Sequence, residues 1–196
     1  MAVQKKADKW KMKRWFSVYA PKQFGDAMIG EMPANDEKAA LGRNIVVGLD
    51  ALTHNPSHAY TNITLKVIGA EGSAAHTKLV SITLLYSYIR SLVRRYKSIA
   101  TSVLPVASKD GTKIVLKMLV ITRARSTHSR IAGIRKEMNE RALAIAKEAD
   151  SAEFINSVIE GRFQAEMAAK LRHITPISKV EVRRLQVPAR KAEAAA

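Results

Sequence analysis

Residues 86 to 136 combine a strong positive charge with a regular apolar pattern. This stretch contains twelve lysine and arginine residues but a single acidic residue, Asp110, in a chain whose net charge is +16. Apolar side chains recur at helical spacing around Ile89 and at every second position from Ile114 to Val120. The pattern predicts a folded segment with a basic surface. Such a surface implies a polyanionic partner, and nucleic acid is the first candidate.

The composition is that of a chain that can bury a core without disulfides. Of its 196 residues, 47% are hydrophobic, and none is cysteine. The absence of cysteine excludes disulfides, thiolate metal sites and a thiol nucleophile. No apolar run approaches the roughly 18 residues that a membrane-spanning helix needs, and the basic start lacks a signal-peptide core. We therefore expect a soluble, cytoplasmic protein.

Alternating runs predict a sheet. Strands are expected over residues 15–20, 43–49, 62–68, 76–84, 97–107, 112–122 and 177–187. Residues 24 to 36 contain Pro33 and several turn formers, so we predict a connection there, with a short helical turn beginning at Asp36. The pair Asp110-Gly111 predicts a primed hairpin turn between two of these strands.

Helical spacing predicts the rest of the secondary structure. Helices are expected over residues 86–95 and from about 127 to 149. Asp150 and Glu153 have capping-box spacing and predict a further helix start, and a last helical run over 163–171 follows Gly161. The predicted fold class is α+β, with a curled antiparallel sheet or β-barrel body, appended C-terminal helices and a basic N-terminal arm.

The predicted organisation is one domain between two polar tails. A basic N-terminal arm covers residues 1–13, a single RNA-binding α+β domain covers 14–187, and a C-terminal tail covers 188–196. Within the domain we expect a β-rich body over 14–122, a helical portion over 126–173 and a closing strand over 177–187.

Basic and hydroxyl side chains meet where the predicted strand of residues 112–122 gives way to a helix. Arg123, Arg125 and Arg130 stand among serine and threonine residues there. Guanidinium groups, hydroxyls and the free N–H groups of a helix start all bind phosphate oxygens. Aromatic residues make up only 6% of the chain, and no RNP motif, GXXG loop or zinc knuckle is present. This composition favours recognition of folded RNA by shape and backbone.

Little in the sequence indicates catalysis or metal binding. No Walker loop, GxGxxG or HExxH motif occurs. His54 and His58 are four residues apart, but Pro56 breaks the helix that would place both on one face. We assign His128 to the basic junction rather than to general base catalysis. We expect no enzymatic activity, no cofactor and no metal.

Several motifs, in order, resemble one family of ribosomal proteins. Residues 15–25 (WFSVYAPKQFG), 29–31 (IGE), 88–95 (YIRSLVRR), 109–111 (KDG), 122–136 and 176–187 are similar to successive parts of the eS1 family, formerly S3Ae, of archaeal and eukaryotic small-subunit ribosomal proteins. The resemblance covers roughly residues 13 to 187.

The resemblance implies a β-barrel body with added helices, located on the platform of the small ribosomal subunit near the mRNA exit. It implies contacts with small-subunit rRNA, including the region near its 3′ end, and with neighbouring platform proteins, while mRNA at the exit is a further candidate partner. It implies rRNA contacts by Arg90, Arg94, Arg95, Arg123, Arg125, Arg130, Arg135 and Lys136. The charge pattern adds Lys109, Lys113, Lys117 and His128, together with Lys9, Lys11, Lys13, Arg14 and Lys22 near the N-terminus.

Two other functions stay open at this point. One is a free regulatory nucleic-acid-binding protein that acts off the ribosome. The other is a basic protein of the membrane surface, although the long amphipathic helix typical of such proteins is missing from the sequence. We expect no membrane partner.

Overall fold

The computed structural model describes residues 10–11 and 13–188, which form two compact units. The first unit contains the described residues up to Ala59 together with Thr64–Leu79, and the second contains Tyr60–Ile63 and the described residues from Val80 onward. Most of the predicted N-terminal arm, including Lys9, lies outside the described residues, as does nearly all of the predicted tail. The division into arm, single domain and tail stays a prediction.

The described residues contain eight strands and six α-helices. The strands are β1 (Arg14–Tyr19), β2 (Met28–Ala34), β3 (Asn44–Gly48), β4 (Thr61–Glu71), β5 (Ala74–Leu84), β6 (Ile99–Ala107), β7 (Lys113–Thr122) and β8 (Ile177–Gln186). The helices are α1 (Glu37–Ala40), α2 (Leu49–Thr53), α3 (Tyr86–Leu92), α4 (His128–Glu148), α5 (Ser151–Ile159) and α6 (Arg162–Leu171). Two 3₁₀ turns lie at Lys22–Phe24 and Pro56–His58.

Hydrogen bonds connect the strands into one mixed sheet, and the α+β prediction is confirmed. The strand order is β2-β1-β5-β8-β7-β6, while β3 pairs with β4 and β4 with β5. Two details differ from the expectation. The β1–β5 pair is parallel, because the chain between them is long enough for a crossover, and the strand order does not close on itself.

In the first unit, β1 carries the core. Phe16 and Val18 are each 2% exposed and pack with residues of β2, α1, β4 and β5. Their alternation with half-buried or exposed neighbours is the period-two pattern that predicted this strand. The hydroxyl of Thr77 on β5 donates to the carbonyl of Tyr19 at 2.7 Å, which ties the parallel pair together.

Residues 24 to 36 contain the strand β2, so the predicted connection is wrong. The strand pairs with β1 in antiparallel fashion, and Pro33 stands opposite Trp15. Proline lacks the N–H group that a central strand must donate, which argued against a strand here. In the strand order β2 pairs only with β1, and such an edge position tolerates a proline.

The strand β5 does not keep one buried face. Thr77, Leu79 and Ser81 are buried in its first part, whereas Ile82 and Leu84 are buried at its end. We predicted one face through Val80, Ile82 and Leu84, but Val80 is only half-buried. The buried face changes between Ser81 and Ile82, which are adjacent and both buried, so a single alternation cannot describe the strand.

In the second unit, β5, β8, β7 and β6 are successive antiparallel neighbours. The helix α4 contacts β6, and α6 contacts β8. The helix α4 buries Ile134, Met138, Ala142 and Ala146. The first three belong to the predicted apolar face, whereas its other predicted members, Ile131, Ile145 and Ala149, are only half-buried. The hydroxyl of Ser102 on β6 donates to the side-chain oxygen of Asn139 on α4 at 2.5 Å. This contact and the buried stripe fix the helix that follows the arginine-rich junction.

Candidate nucleic-acid interface

The arginine-rich junction begins at a buried threonine. The hydroxyl oxygen of Thr122, the last residue of β7, accepts a hydrogen bond from the N–H of Ser98 at 2.9 Å. The same hydroxyl lies 2.7 Å from the carbonyl oxygen of Ala124 and 3.1 Å from that of Ser98. Thr122 is fully buried, whereas Arg123 and Arg125 beside it are exposed. A buried anchor thus holds two exposed guanidinium groups.

A second basic segment lies at the same end of the β6–β7 pair. The helix α3 packs through Ile89 on a cluster that contains Leu119 and Ile121 of β7. The residues after α3 lead to Ser98, whose hydroxyl oxygen accepts the N–H of Ser126 at 3.0 Å. The structure therefore brings two basic segments together, and we name their basic residues the junction surface. They are Arg90, Arg94, Arg95 and Lys97 from α3 and the loop after it, and Arg123, Arg125, His128 and Arg130 from the junction.

The predicted helix over residues 86–95 ends early, at Leu92. The carbonyl of Tyr88 accepts the hydroxyl of Ser91 at 2.7 Å, and the carbonyl of Ser91 accepts Nε of Arg94 at 3.2 Å. These side chains occupy carbonyl groups that another helical turn would otherwise use. Arg94 and Arg95 therefore lie on a loop, and the helical placement predicted for them is wrong.

The junction surface carries cations without acidic partners. In the described part of the chain, the four ion pairs involve Arg141, Arg162, His173 and Lys179. None of these residues belongs to the junction surface or to the predicted contact set. Exposed cations that no carboxylate neutralises leave a positive surface that can bind phosphate groups.

The first turns of α4 extend the junction surface. His128, Arg130, Arg135 and Lys136 are all exposed, and they lie within about 12 Å along the helix axis. Lys136 also borders a groove that contains Glu137 and Glu140. These acids weaken the local attraction for a polyanion, so Lys136 lies at the margin of the surface.

The structure separates the hairpin lysines from the junction. Lys113 and Thr122 stand at opposite ends of β7, which places them about 30 Å apart. Lys109 and Lys113 are exposed at the hairpin end, and Lys117 is half-buried between them and the junction. They therefore form a second basic group rather than part of one cluster.

The acidic residue of the hairpin, Asp110, connects the hairpin to the start of α5. The N–H and the hydroxyl of Ser151, at the start of α5, donate to Oδ2 of Asp110 at 2.9 Å and 3.0 Å. These two hydrogen bonds, the backbone one first, hold the pKa of Asp110 below its usual range. The predicted cap of this helix, Asp150, makes no capping hydrogen bond with its side chain. Asp110 therefore takes the capping role from a distant part of the chain.

The hairpin turn differs in type from the prediction. The N–H of Gly111 donates to the carbonyl of Ser108 at 2.9 Å, and the N–H of Ser108 donates to the carbonyl of Thr112 at 3.1 Å. Gly111 has a φ of 70°, but Lys109 and Asp110 do not have positive φ. Only one residue takes the left-handed conformation, as in a turn followed by a glycine bulge. The primed turn that we predicted is therefore not formed.

The remaining predicted contacts lie in the first unit. Lys11 is exposed, and the Nζ atom of Lys13 lies 4.1 Å from the centre of the Trp10 ring. Arg14 is exposed as the first residue of β1, and Lys22 is exposed beyond the other end of this strand. These residues do not form one tight cluster.

Sequence reasoning left two lysines out of the contact set. Lys97 belongs to the junction surface because it lies in the loop after α3, directly before Ser98, and its Nζ lies 3.4 Å from the hydroxyl of Ser178. Lys179 contacts Tyr88 and Glu181. Burial by itself would lower the pKa of Lys179, but these contacts outweigh burial and raise it. Lys97 could have been chosen from the sequence, because it is one of the twelve basic residues of the stretch 86 to 136. Lys179 could not, because its contact with Tyr88 joins residues that are far apart in the chain.

The described residues offer no further kind of site. In residues 10–11 and 13–188, no three histidine, aspartate or glutamate side chains come together in a way that could hold a metal ion. No helix within these ranges is long and apolar enough to cross a membrane.

A folded α+β protein with an unpaired basic surface is typical of nucleic-acid-binding proteins. Comparison with known families is more specific, because the model of the Ribosomal S3Ae family matches residues 1–191. The chain belongs to this family, which confirms the resemblance drawn from its motifs.

Curated relatives cover most of the chain. The protein named small ribosomal subunit protein eS1 from Saccharolobus solfataricus is 37% identical over 180 residues, which are 92% of this chain and 86% of the relative. The protein of the same name from Saccharolobus islandicus is 36% identical with the same coverage. A third, from Pyrobaculum aerophilum, is 35% identical over 182 residues, which are 93% of this chain and 82% of the relative.

Proposed function

We propose that this protein is a structural, non-enzymatic constituent of the small ribosomal subunit that binds folded rRNA through the junction surface. The observation that carries the proposal is the convergence of exposed arginines at one end of the β6–β7 pair, without an acidic partner among the described residues. Membership of a ribosomal protein family and the names of its relatives support it.

The location follows from the family resemblance rather than from the geometry. In this proposal the protein works in the cytoplasm, on the platform of the small subunit near the mRNA exit and the 3′ end of the rRNA. Its neighbours are platform proteins, and mRNA at the exit is a further partner. The hairpin lysines and the N-terminal basic residues make additional rRNA contacts.

Arg123 and Arg125 provide the test of the binding surface. Both side chains are exposed, so the double variant Arg123→Ala/Arg125→Ala should fold normally but enter small subunits less efficiently. The measurement compares tagged variants for their amount in purified small subunits, with circular dichroism as a check of folding.

The matched control changes the same charge elsewhere in the same unit. Arg162 and Arg172 are also exposed, and Arg162 is already paired with Glu160 at 2.6 Å. The double variant Arg162→Ala/Arg172→Ala should enter subunits as the unmodified protein does. Equal incorporation of both double variants would contradict the assignment of the junction surface.

A further inference from the structure

Tyr96 is an exposed aromatic residue that stands between two residues of the junction surface, Arg95 and Lys97. Its exposed fraction is 83%, against 60% for Trp10 and 57% for Trp15. The other four tyrosines have aromatic or cationic neighbours: Tyr19 stacks with His76, Tyr60 stacks with Tyr88, and the ring of Tyr86 lies under Arg90. Among the residues that the structure describes, Tyr96 has no hydrogen bond or ring contact of its side chain. No hydrogen bond or ring contact within the described residues therefore explains why an aromatic side chain stands at this position.

The backbone at Tyr96 would suit glycine better than tyrosine. The N–H of Lys97 donates to the carbonyl of Arg94 at 3.4 Å, and Tyr96, the third residue of this turn, has a φ of 62°. A positive φ at the third position of a turn normally selects glycine or asparagine, and a bulky residue there is strained. A strained, solvent-exposed ring points to a role outside the fold.

The neighbours of Tyr96 favour RNA as the partner of the ring. Arg95 is exposed beside it, Arg94 is tethered to Ser91, and Lys97 is tethered to Ser178. Three cationic residues next to Tyr96 in the chain attract a phosphate backbone and disfavour an apolar protein partner. A base that is paired within a helix already stacks on its neighbours, whereas an unpaired base offers its face to an aromatic side chain.

We propose that Tyr96 stacks on an unpaired base of the RNA held by the junction surface. The inference rests on the proposed function and adds to it the kind of nucleotide that this loop recognises. In this arrangement Arg94, Arg95 and Lys97 hold the phosphates on either side, and the ring of Tyr96 covers the base between them.

Binding of two RNA probes by the full chain tests the proposal. The first probe is a 12-nucleotide single-stranded oligouridylate with one central 2-aminopurine, and the second is a 12-base-pair RNA duplex. Loss of one base–aromatic stack, worth about 1–3 kcal/mol, should weaken binding of the single strand by Tyr96→Ala by roughly 5- to 150-fold. Binding of the duplex, which depends on phosphate contacts, should not change. The unmodified protein and Tyr96→Phe should quench 2-aminopurine fluorescence, whereas Tyr96→Ala should not.

A glycine variant separates stacking from folding. Because glycine accepts the positive φ, Tyr96→Gly should unfold at the same or a higher temperature than the unmodified protein and still bind the single-stranded probe as weakly as Tyr96→Ala does. A lower unfolding temperature would show that the ring stabilises the fold and would overturn the premise.

The outcomes distinguish this inference from the function on which it rests. If the unmodified protein binds both probes but Tyr96→Ala loses nothing, or loses affinity for both probes equally, stacking is refuted and rRNA binding stands. If the unmodified protein binds neither probe, RNA binding by the junction surface and stacking fall together.

Discussion

Thr122 connects the core of the second unit to the exposed arginines. Its side chain is fully buried, and its hydroxyl is the partner of three backbone groups, those of Ser98 and Ala124. A buried polar group that loses its hydrogen-bond partner destabilises the fold by more free energy than a typical hydrogen bond contributes. This hydroxyl therefore helps to hold the segment of Arg123 and Arg125, together with the hydrogen bond from the N–H of Arg123 to the carbonyl of Pro176 at 2.8 Å.

Replacing this hydroxyl by a methyl group should destabilise the protein. Thr122→Val keeps the shape of the side chain but leaves the N–H of Ser98 without its acceptor, and we expect the free energy of unfolding to fall by about 1–3 kcal/mol. Urea unfolding followed by circular dichroism measures this change. Thr127→Val is the matched control, because Thr127 is exposed and makes no capping hydrogen bond with its side chain. An equal loss in both variants would refute the anchoring role of Thr122.

Asp110 makes the stability of the hairpin depend on pH. Its pKa is held below the ordinary value of 3.8 by the N–H and hydroxyl of Ser151. A lowered carboxyl pKa stabilises the fold above that ordinary value, and the contribution is lost as the pH falls through the lowered pKa. Asp110→Ala should therefore reduce the unfolding temperature at pH 7, and its difference from the unmodified protein should shrink below pH 3.8.

Asp150 is the comparison for this effect. It occupies the capping position of α5, yet its side chain makes no capping hydrogen bond. Asp150→Ala should lower the unfolding temperature less than Asp110→Ala at pH 7. The reverse order would support the cap predicted from the sequence and contradict the one seen in the structure.

Among the elements, α4 joins the basic surface to the sheet. Its buried stripe was predictable because Ile134, Met138 and Ala142 follow helical spacing, and local spacing is read directly from the sequence. Ile134→Ala should lower the free energy of unfolding by about 2–5 kcal/mol, since Ile134 is fully buried. Ile131→Ala, on the same helix but only half-buried, should cost less in the same urea titration. Equal costs would show that α4 does not pack through the stripe that the structure buries.

Elements that depend on distant partners were not predictable. The strand β2 contains Pro33, and only its edge position next to β1 makes that residue acceptable. The end of α3 depends on side chains of Ser91 and Arg94 that take its last carbonyls. The cap of α5 comes from Asp110, 41 residues earlier in the chain. For β2 and α5 the deciding contact comes from a distant part of the chain, whereas the end of α3 is decided by side chains three residues apart that the apolar spacing does not reveal.

The candidate site was predictable only where it is built from residues close together in the chain. The clustering of Arg123, Arg125 and Arg130 is local, so their charge and position at a helix start could be read from the sequence. The charge pattern alone could not show whether the hairpin lysines lie next to these arginines. In the structure the length of β7 separates the lysines at its start from the arginines at its end. The assignment of all these residues to rRNA contact stays a proposal.

At the scale of the molecule, binding should depend steeply on salt. The chain has a net charge of +16, and neutralisation of about six phosphates should give a slope of log affinity against log salt of roughly −4 to −5. The double variant Arg123→Ala/Arg125→Ala should reduce the size of this slope by about 1.5 to 2, because binding with two fewer phosphate contacts releases fewer counterions from the RNA. Filter binding of small-subunit rRNA over a salt series measures both values. An unchanged slope for the double variant would remove these arginines from the interface.

We propose that the protein works as part of the small ribosomal subunit. The most direct test is the sedimentation of the endogenous protein when a native lysate is run on a sucrose gradient at moderate salt. We predict that it sediments with the small subunit and stays there after a high-salt wash. Protein that stays at the top of the gradient would contradict the claim and favour a free regulatory nucleic-acid-binding protein.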